Sequence, residues 1–150
     1  MQNYESHLID NDAGDIKVFI KSKTQEFIFD TGLGYIVLPK LFKQLTILYK
    51  DESKEFSIDG FDSMFFYVFK KYGDQIVISK NRDKYSFNIF GFCKAFQKAF
   101  QIHINKLKKE GKEIGLSDEE EDFENFGNPF RLETLIAFDE FSKVIKNQNV

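Results

Sequence analysis

The stretch MFFYVFKKYGDQIVISKNRDKYSFNI, residues 64–89, decides the fold class of this chain. Two apolar runs, Met64–Phe69 and Ile76–Ile78, flank a turn that contains Gly73. Aromatic and β-branched residues suit a pleated, half-buried surface, and glycine suits a tight turn between two strands. The stretch therefore predicts a hairpin of two buried strands. A second turn, at Asn81–Asp83, leads to a further predicted strand at Tyr85–Ile89.

Shorter strand patterns precede this stretch. Residues 16–21 alternate in the manner of a strand, and Phe27–Phe29 is predicted to be its hairpin partner. Tyr35–Leu38 predicts a third short strand, and Phe56 with Ile58 predicts a fourth. The polar residues Met1–Asn11 predict a loose lead-in to the first hairpin.

Three segments have apolar residues at helical spacing. The first runs from about Pro39 to Lys50, where the proline suits the first turn of a helix. The longest covers about Phe90–Glu110 and is followed by Gly111, a residue that suits a helix C-terminus. The last is predicted to begin near Asn128-Pro129.

Strands interspersed with helices, without strict βαβ alternation, are typical of an α+β protein. We expect an antiparallel or mixed β-sheet covered by about three amphipathic helices. A chain of 150 residues with 42% hydrophobic and 30% charged residues has the size and composition of one globular unit. Residues 1–150 are therefore predicted to form a single α+β domain.

Composition also limits the surroundings and the partners of the chain. The N-terminus lacks the basic start and apolar run of a signal peptide, and no stretch reaches the ~20 apolar residues of a membrane span. Cys93 is the only cysteine, so no internal disulfide is expected. These features predict a cytoplasmic protein that binds no membrane. A net charge of -3 argues against a nucleic-acid partner. The sequence leaves the oligomeric state open.

One segment is strongly acidic: residues 113–124 contain no Lys or Arg. Such a block of like charges repels itself and predicts a mobile acidic loop at about residues 112–127. The loop is either a solvated segment that favours solubility or a docking surface for a basic protein, since clustered carboxylates speed association. Phe123 and Phe126 interrupt the acids and suit apolar anchors. The predicted partner-binding residues are Asp118, Glu119, Glu120, Glu121, Asp122, Phe123, Glu124 and Phe126.

The residues Phe27–Gly32, FIFDTG, resemble the active-site loop of aspartic peptidases. In that family a two-fold copy of the loop brings a second carboxylate beside the first, and the pair shares one proton and activates water. Phe87–Gly91 resembles the segment that retroviral-type members place behind the loop. The resemblance implies a homodimeric peptidase that uses Asp30, although Leu33 stands where the family has Ala or Ser. The alternative is that these residues only turn the chain.

The other chemistry-bearing residues do not form a recognisable site. His7 and His103 are far apart in sequence and Cys93 is single, so neither a zinc cluster nor a Cys-His or Ser-His-Asp arrangement is indicated. His103 and Cys93 fall on or beside the apolar stripe of the long helix, which predicts packed side chains. The lysines of that helix predict a solvated face. We expect no metal, no cofactor and no enzymatic activity.

The chain resembles, at the level of a class, bacterial immunity proteins. The resemblance rests on the helix at Leu38–Tyr49, the aromatic strand pair in Met64–Ile78, the helix at Phe92–Leu107 and the acidic stretch Asp118–Glu124. It implies an inhibitor that forms a one-to-one complex with a cognate toxin and blocks the toxin's active site by steric occlusion. The acids would then supply the electrostatic contacts.

Overall fold

The computed structural model of the protein describes residues 4–11, 14–61, 64–117 and 128–147. Within these ranges the chain forms seven strands and three helices. The strands are β1 (Glu5–Asn11), β2 (Asp15–Lys21), β3 (Glu26–Thr31), β4 (Glu55–Asp59), β5 (Phe66–Tyr72), β6 (Gln75–Lys80) and β7 (Asp83–Asn88). The helices are α1 (Gly34–Tyr49), α2 (Ile89–Lys109) and α3 (Leu132–Asn147).

The strands form two antiparallel sheets, which confirms the predicted α+β class. One sheet has the order β1-β2-β3 and the other the order β4-β5-β6-β7. The predicted hairpins are present: β2 pairs with β3, and β5 pairs with β6 in a register that places Phe69 opposite Ile78. We expected one sheet, but β3 and β4 do not pair, and side chains of the second sheet meet the edge of β3 instead.

Phenylalanine is the most frequent residue of the core between the sheets and the helices. The inward residues of β2 and β3, among them Val18 and Phe29, are fully buried. Phe42 of α1 lies 4.9 Å, centroid to centroid, from Phe100 of α2 and 5.3 Å from Phe138 of α3. These buried side chains belong to one hydrophobic cluster that includes residues of both sheets and all three helices. Because each ring buries a large apolar area, few residues are needed to join the two sheets and the three helices in one core.

Side chains from the second sheet satisfy the edge of β3 that faces away from β2. The backbone N–H of Asp30 donates to the Tyr67 hydroxyl at 2.8 Å, and that hydroxyl donates to the Asp30 carbonyl at 3.0 Å. The Lys80 ammonium donates to the Ile28 carbonyl at 2.8 Å and lies 4.0 Å above the ring of Phe65. Burial lowers the pKa of Lys80 below its ordinary value. The two sheets are thus joined by side chain to backbone bonds and not by strand pairing.

At the free edge of β7, side chains next to strands of the first sheet accept hydrogen bonds from the second sheet. The Ser86 N–H donates to Oε1 of Gln25 at 2.7 Å, and the Asn88 N–H donates to the hydroxyl of Tyr4 at 3.0 Å. Each sheet therefore supplies the hydrogen-bond partners that the other sheet's edge would otherwise lack. Buried backbone groups need such partners, because leaving one unpaired costs about 1–3 kcal/mol.

Two elements differ from the predictions. The lead-in predicted at Met1–Asn11 is wrong where the structure describes it, because β1 occupies Glu5–Asn11 and pairs with β2 along its whole length. The strand predicted at Tyr35–Leu38 is also wrong, because α1 begins at Gly34. Its first turn is held by the N–H of Val37, which donates to the carbonyl of Leu33 at 3.1 Å. The helix therefore starts five residues before Pro39.

The long helix is close to its predicted limits. Asn88 caps α2, since its side-chain oxygen accepts the N–H of Gly91 at 2.9 Å. The chain leaves the helix at Gly111, which has a φ of 71°, a value that favours glycine. The last helix begins at Leu132, three residues after Pro129. None of the helices in the described ranges is long and apolar enough to cross a membrane.

Replacing Tyr67 with Phe tests the junction of the sheets. The variant keeps the ring, which is fully buried, but removes the partner of both backbone groups of Asp30. We expect a loss of about 2–3 kcal/mol in the free energy of unfolding, measured by urea denaturation. The matched control is Tyr72→Phe at an exposed position, where a change within about 0.5 kcal/mol is expected. Equal effects of the two changes would contradict this account of the junction.

Stability should fall at alkaline pH. Burial raises the pKa of the Cys93 thiol above its ordinary 9.0, so the folded protein keeps a proton that the unfolded chain loses. The thiol's contribution is complete below about pH 9 and declines above it, by up to about 1.4 kcal/mol per pH unit. Urea unfolding at pH 7 to 10 measures the decline. In Cys93→Ala the free energy of unfolding should fall less steeply with pH. An identical slope in the variant and the wild type would refute the contribution of the thiol.

Candidate functional site

The predicted partner-binding residues lie outside the part of the chain that the structure describes. They are Asp118, Glu119, Glu120, Glu121, Asp122, Phe123, Glu124 and Phe126. The structure does describe the two points where this segment joins the body, at Ser117 and Asn128. The surface around those points is the candidate functional site.

A short hydrogen-bonded stem closes the acidic segment. The N–H of Gly115 donates to the carbonyl of Phe130 at 2.7 Å, and the N–H of Leu132 donates to the carbonyl of Leu116 at 2.9 Å. The side chain of Asn128 adds a bond to the carbonyl of Glu113 at 2.8 Å. The acidic segment therefore leaves and re-enters the body at one place, at the start of α3.

Phe130 and Pro129 fix the stem to the core. Phe130 is 1% exposed, and its ring lies 5.4 Å from the ring of His103 in α2. Pro129 packs against the first residue of α1, where a Cβ on Gly34 would lie only 2.8 Å from the Cβ of the proline. Because Gly34 has no side chain, the ends of α1 and α3 can approach each other closely.

A groove of about 480 Å³ lies beside the stem, between α1 and the start of α3. It is lined by Tyr35, Ile36, Pro39, Lys40, Lys43, Gln44, Arg131 and Glu133. The guanidinium of Arg131 lies 4.1 Å from the centroid of the Tyr35 ring, a cation–π contact that holds α3 to α1. Three cations and one acid give the groove a positive rim, which contrasts with the acidic segment next to it.

Three apolar side chains are exposed on the two helices that form the groove, and one of them lines it. Ile36 of α1 is 44% exposed and lines the groove directly. Leu132 and Ile136 lie one turn apart on α3 and are 41% and 51% exposed. Glu133, which lines the groove, lies between them in the chain. We call Ile36, Leu132 and Ile136 the apolar patch. Such a cluster beside charged groups is typical of a protein-binding surface.

The loop that resembles a peptidase site has several structural roles. The hydroxyl of Thr31 is fully buried and lies 2.9 Å from the carbonyl of Gly60, and the N–H of Gly32 donates to the same carbonyl at 2.8 Å. Leu33 follows with a φ of 45°, in the left-handed region. These contacts join the end of β3 to the loop after β4.

The carboxylate of Asp30 faces a cation. One of its oxygens lies 3.9 Å from the ammonium of Lys17 on the outer face of the first sheet, and the Asp30 side chain is 23% exposed. The segment Phe87–Gly91, predicted to lie behind the loop, spans the end of β7 and the start of α2, and Gly91 packs against the ring of Tyr4. The peptidase hypothesis stays a prediction, and a dimer would have to supply the second carboxylate.

The remaining predicted residues occupy the places expected of them. His103 lies at the rim of the core with its side chain 12% exposed, and its Nε2 is 3.0 Å from a carboxylate oxygen of Asp10 in β1. Cys93 is buried. The α2 lysines are exposed, as predicted for a solvated face; they are Lys94, Lys98, Lys106, Lys108 and Lys109. Within the described residues, no group of three or more His, Cys, Asp or Glu could hold a metal ion.

No protein-family model matches this chain, and neither the curated proteins nor the solved structures contain a significant match. The functional interpretation therefore depends on the chemistry of the surfaces described above.

Sequence reasoning missed the groove and the apolar patch. The groove joins residues 35–44 to residues 131–133, and no local pattern reveals that these two segments meet. The sequence pattern places Leu132 on the apolar stripe of the last helix with Phe138 and Phe141, but this is wrong, because Leu132 is 41% exposed. One signal was available: Ile136 lies off that stripe, and an apolar residue off the buried stripe of an amphipathic helix can indicate an exposed patch.

Two neighbouring substitutions separate the structural and catalytic roles of the loop. Asp30→Ala should change the free energy of unfolding by less than about 1 kcal/mol, because it removes only a long ion pair, 3.9 Å, with the exposed ammonium of Lys17. Thr31→Val should cost about 1–2 kcal/mol, because it removes a buried hydroxyl. Urea denaturation measures both. Peptide cleavage by the wild type that vanishes in Asp30→Ala but persists in Lys17→Ala would instead establish a peptidase.

Proposed function

We propose that this chain is an immunity-type inhibitor that binds a cognate toxin and occludes its active site. The observation that carries the proposal is the stem, which joins six clustered acids to the body beside an exposed apolar patch. A protein interface commonly combines apolar anchors at its centre with charged groups that steer the partner. The stem fixes the two ends of the acidic segment beside Leu132, which supports the use of both kinds of group by one partner.

The charge of the chain is concentrated in this segment. The protein has 24 acidic and 21 basic residues, and Asp118–Glu124 alone contains six of the acids. Without those six the rest of the chain would be positively charged. The acidic segment is therefore the feature that would attract a basic toxin, and it would act mainly on the rate of association.

The groove adds a condition that the partner must meet. Its rim carries Lys40, Lys43 and Arg131, so a partner that covers the groove needs an acidic or neutral surface there. The same partner needs a basic surface for the acidic segment. Adjacent regions of opposite charge reject partners of the wrong pattern, because like charges across an interface cost several kcal/mol. This alternation favours a single cognate partner.

Neutralising the acids tests the electrostatic role. Replacing the six acids with their amides should slow association by about tenfold or more and flatten its dependence on salt, because less charge is left to steer the partner. Stopped-flow or surface-plasmon kinetics with the toxin-like product of an adjacent reading frame measures both quantities. Ile136→Ser should instead speed dissociation, because it removes an apolar contact.

A matched pair of variants controls for net charge. Each replaces three glutamates with glutamine. One acts within the acidic segment, at Glu119, Glu120 and Glu121. The other acts at exposed positions on other elements, at Glu26, Glu55 and Glu110. Only the first should slow association strongly. Equal effects would show that net charge alone matters, and failure of the adjacent gene product to bind would refute the proposal.

A further inference from the structure

The hydrogen-bond directions in the first sheet show which backbone groups of β1 point outward. At β3, the backbone groups of Ile28 and Asp30 point away from β2, toward Lys80 and Tyr67. These residues pair with Phe19 and Lys17 of β2. In such a non-hydrogen-bonded pair both residues turn their backbone groups away from each other, so the backbone groups of Phe19 and Lys17 point toward β1. The odd-numbered residues of β1 are therefore bonded to β2, and its even-numbered residues face the open edge.

The residues Ser6, Leu8 and Asp10 thus present their N–H and C=O groups at the edge of the sheet. No backbone bond joins these groups to any other part of the described chain. All seven residues of β1 are exposed or half-buried, whereas the inward residues of β2 are fully covered. Within the described ranges, no backbone group therefore pairs with the outer edge of β1, unlike the edges of β3 and β7, which accept side-chain partners.

β1 lacks most of the features that keep an edge strand from pairing. It contains no proline and no lysine, and it pairs with β2 without a bulge over seven residues. Its one inward acid, Asp10, is held by His103 at 3.0 Å on α2 and does not point into the edge. Such a strand is a template for another strand.

The sequence of β1 is complementary to itself. An antiparallel pair centred on Leu8 places Leu8 opposite Leu8 and Ser6 opposite Asp10, and each of these residues exchanges both backbone bonds with its partner. On the outer face it places His7 opposite Ile9 and Glu5 opposite Asn11. No two like charges are then directly opposite, a condition that favours cross-strand pairing. Ile9, which is 49% exposed, gains a covering side chain.

The helix behind β1 supplies a second apolar contact at the same edge. Ile102 of α2 is 58% exposed and directly precedes His103, the residue that reaches Asp10. It lies on the same side of the helix as Gly91 and Ala95, and Gly91 packs against Tyr4 just before β1. Ile102 therefore stands beside the open edge on the face opposite to Ile9.

We propose that the open edge of β1 binds β1 of a second copy of this chain, in an antiparallel pair centred on Leu8. The product is a two-fold dimer with a continuous six-stranded sheet, β3-β2-β1 followed by the same strands of the partner in reverse. The interface is isologous, so it closes on itself and does not propagate into a fibre. The C-terminal end of β1 lies near the stem, because His103 contacts both Asp10 and Phe130, but the dimer does not depend on toxin binding.

Charge-pair variants on the outer face of β1 test the dimer without a toxin. His7→Glu with Ile9→Glu places like charges opposite each other in the pair, whereas His7→Lys with Ile9→Glu places opposite charges there. Both variants remove the stacking of the His7 ring on Phe19, 4.2 Å away, so they are matched in that loss, and both positions are exposed. Sedimentation equilibrium should give about twice the 17.6 kDa mass for the wild type and the second variant, and a monomer for the first.

Amide hydrogen exchange gives an independent readout of the same pairing. The N–H groups of Leu8 and Asp10 should become protected as protein concentration rises, while those of His7 and Ile9 should be protected at every concentration. If the protein stays monomeric at concentrations up to about 1 mM, the dissociation constant of the pair lies above that concentration, and the proposal is overturned. Dimers that survive in the like-charge variant, or amides insensitive to concentration, would overturn it as well.

Discussion

The hydroxyl of Tyr67 connects the two halves of this protein. It satisfies both backbone groups of Asp30 at an edge where no strand follows, and it does so from a fully buried position in the second sheet. An edge strand without partners cannot be buried, because each orphaned backbone group costs too much free energy. With this hydroxyl in place, β3 can lie in the interior, and the phenylalanine core can extend from one sheet to the other.

The sequence predicted the elements that depend on residues close to each other in the chain. The hairpins follow from alternation and turn residues, and α2 follows from its long apolar stripe. β1 was missed because its two apolar residues, Leu8 and Ile9, are adjacent and its strand character comes from pairing with β2. The start of α1 was missed because Tyr35–Leu38 has the residues of a strand, whereas packing of Gly34 against Pro129 favours the helix.

The functional surfaces were only partly predictable for a similar reason. Clustered acids are visible in a sequence, because charge is a property of the residues themselves. The groove, the apolar patch and the open edge of β1 exist only after distant segments meet, such as Tyr35 with Arg131 across almost 100 positions. The peptidase-like hexapeptide is visible in the sequence, but its structural role is not: Thr31 and Gly32 bind the carbonyl of Gly60, almost 30 positions away.

The stem has a consequence for how the acidic segment can vary in length. Backbone hydrogen bonds between Gly115 and Phe130 and between Leu116 and Leu132 hold the two ends of the segment together. Doubling the length of a flexible loop adds only about 0.6 kcal/mol to the cost of closing it. A longer or shorter segment between the same two hydrogen bonds would therefore cost the fold little free energy.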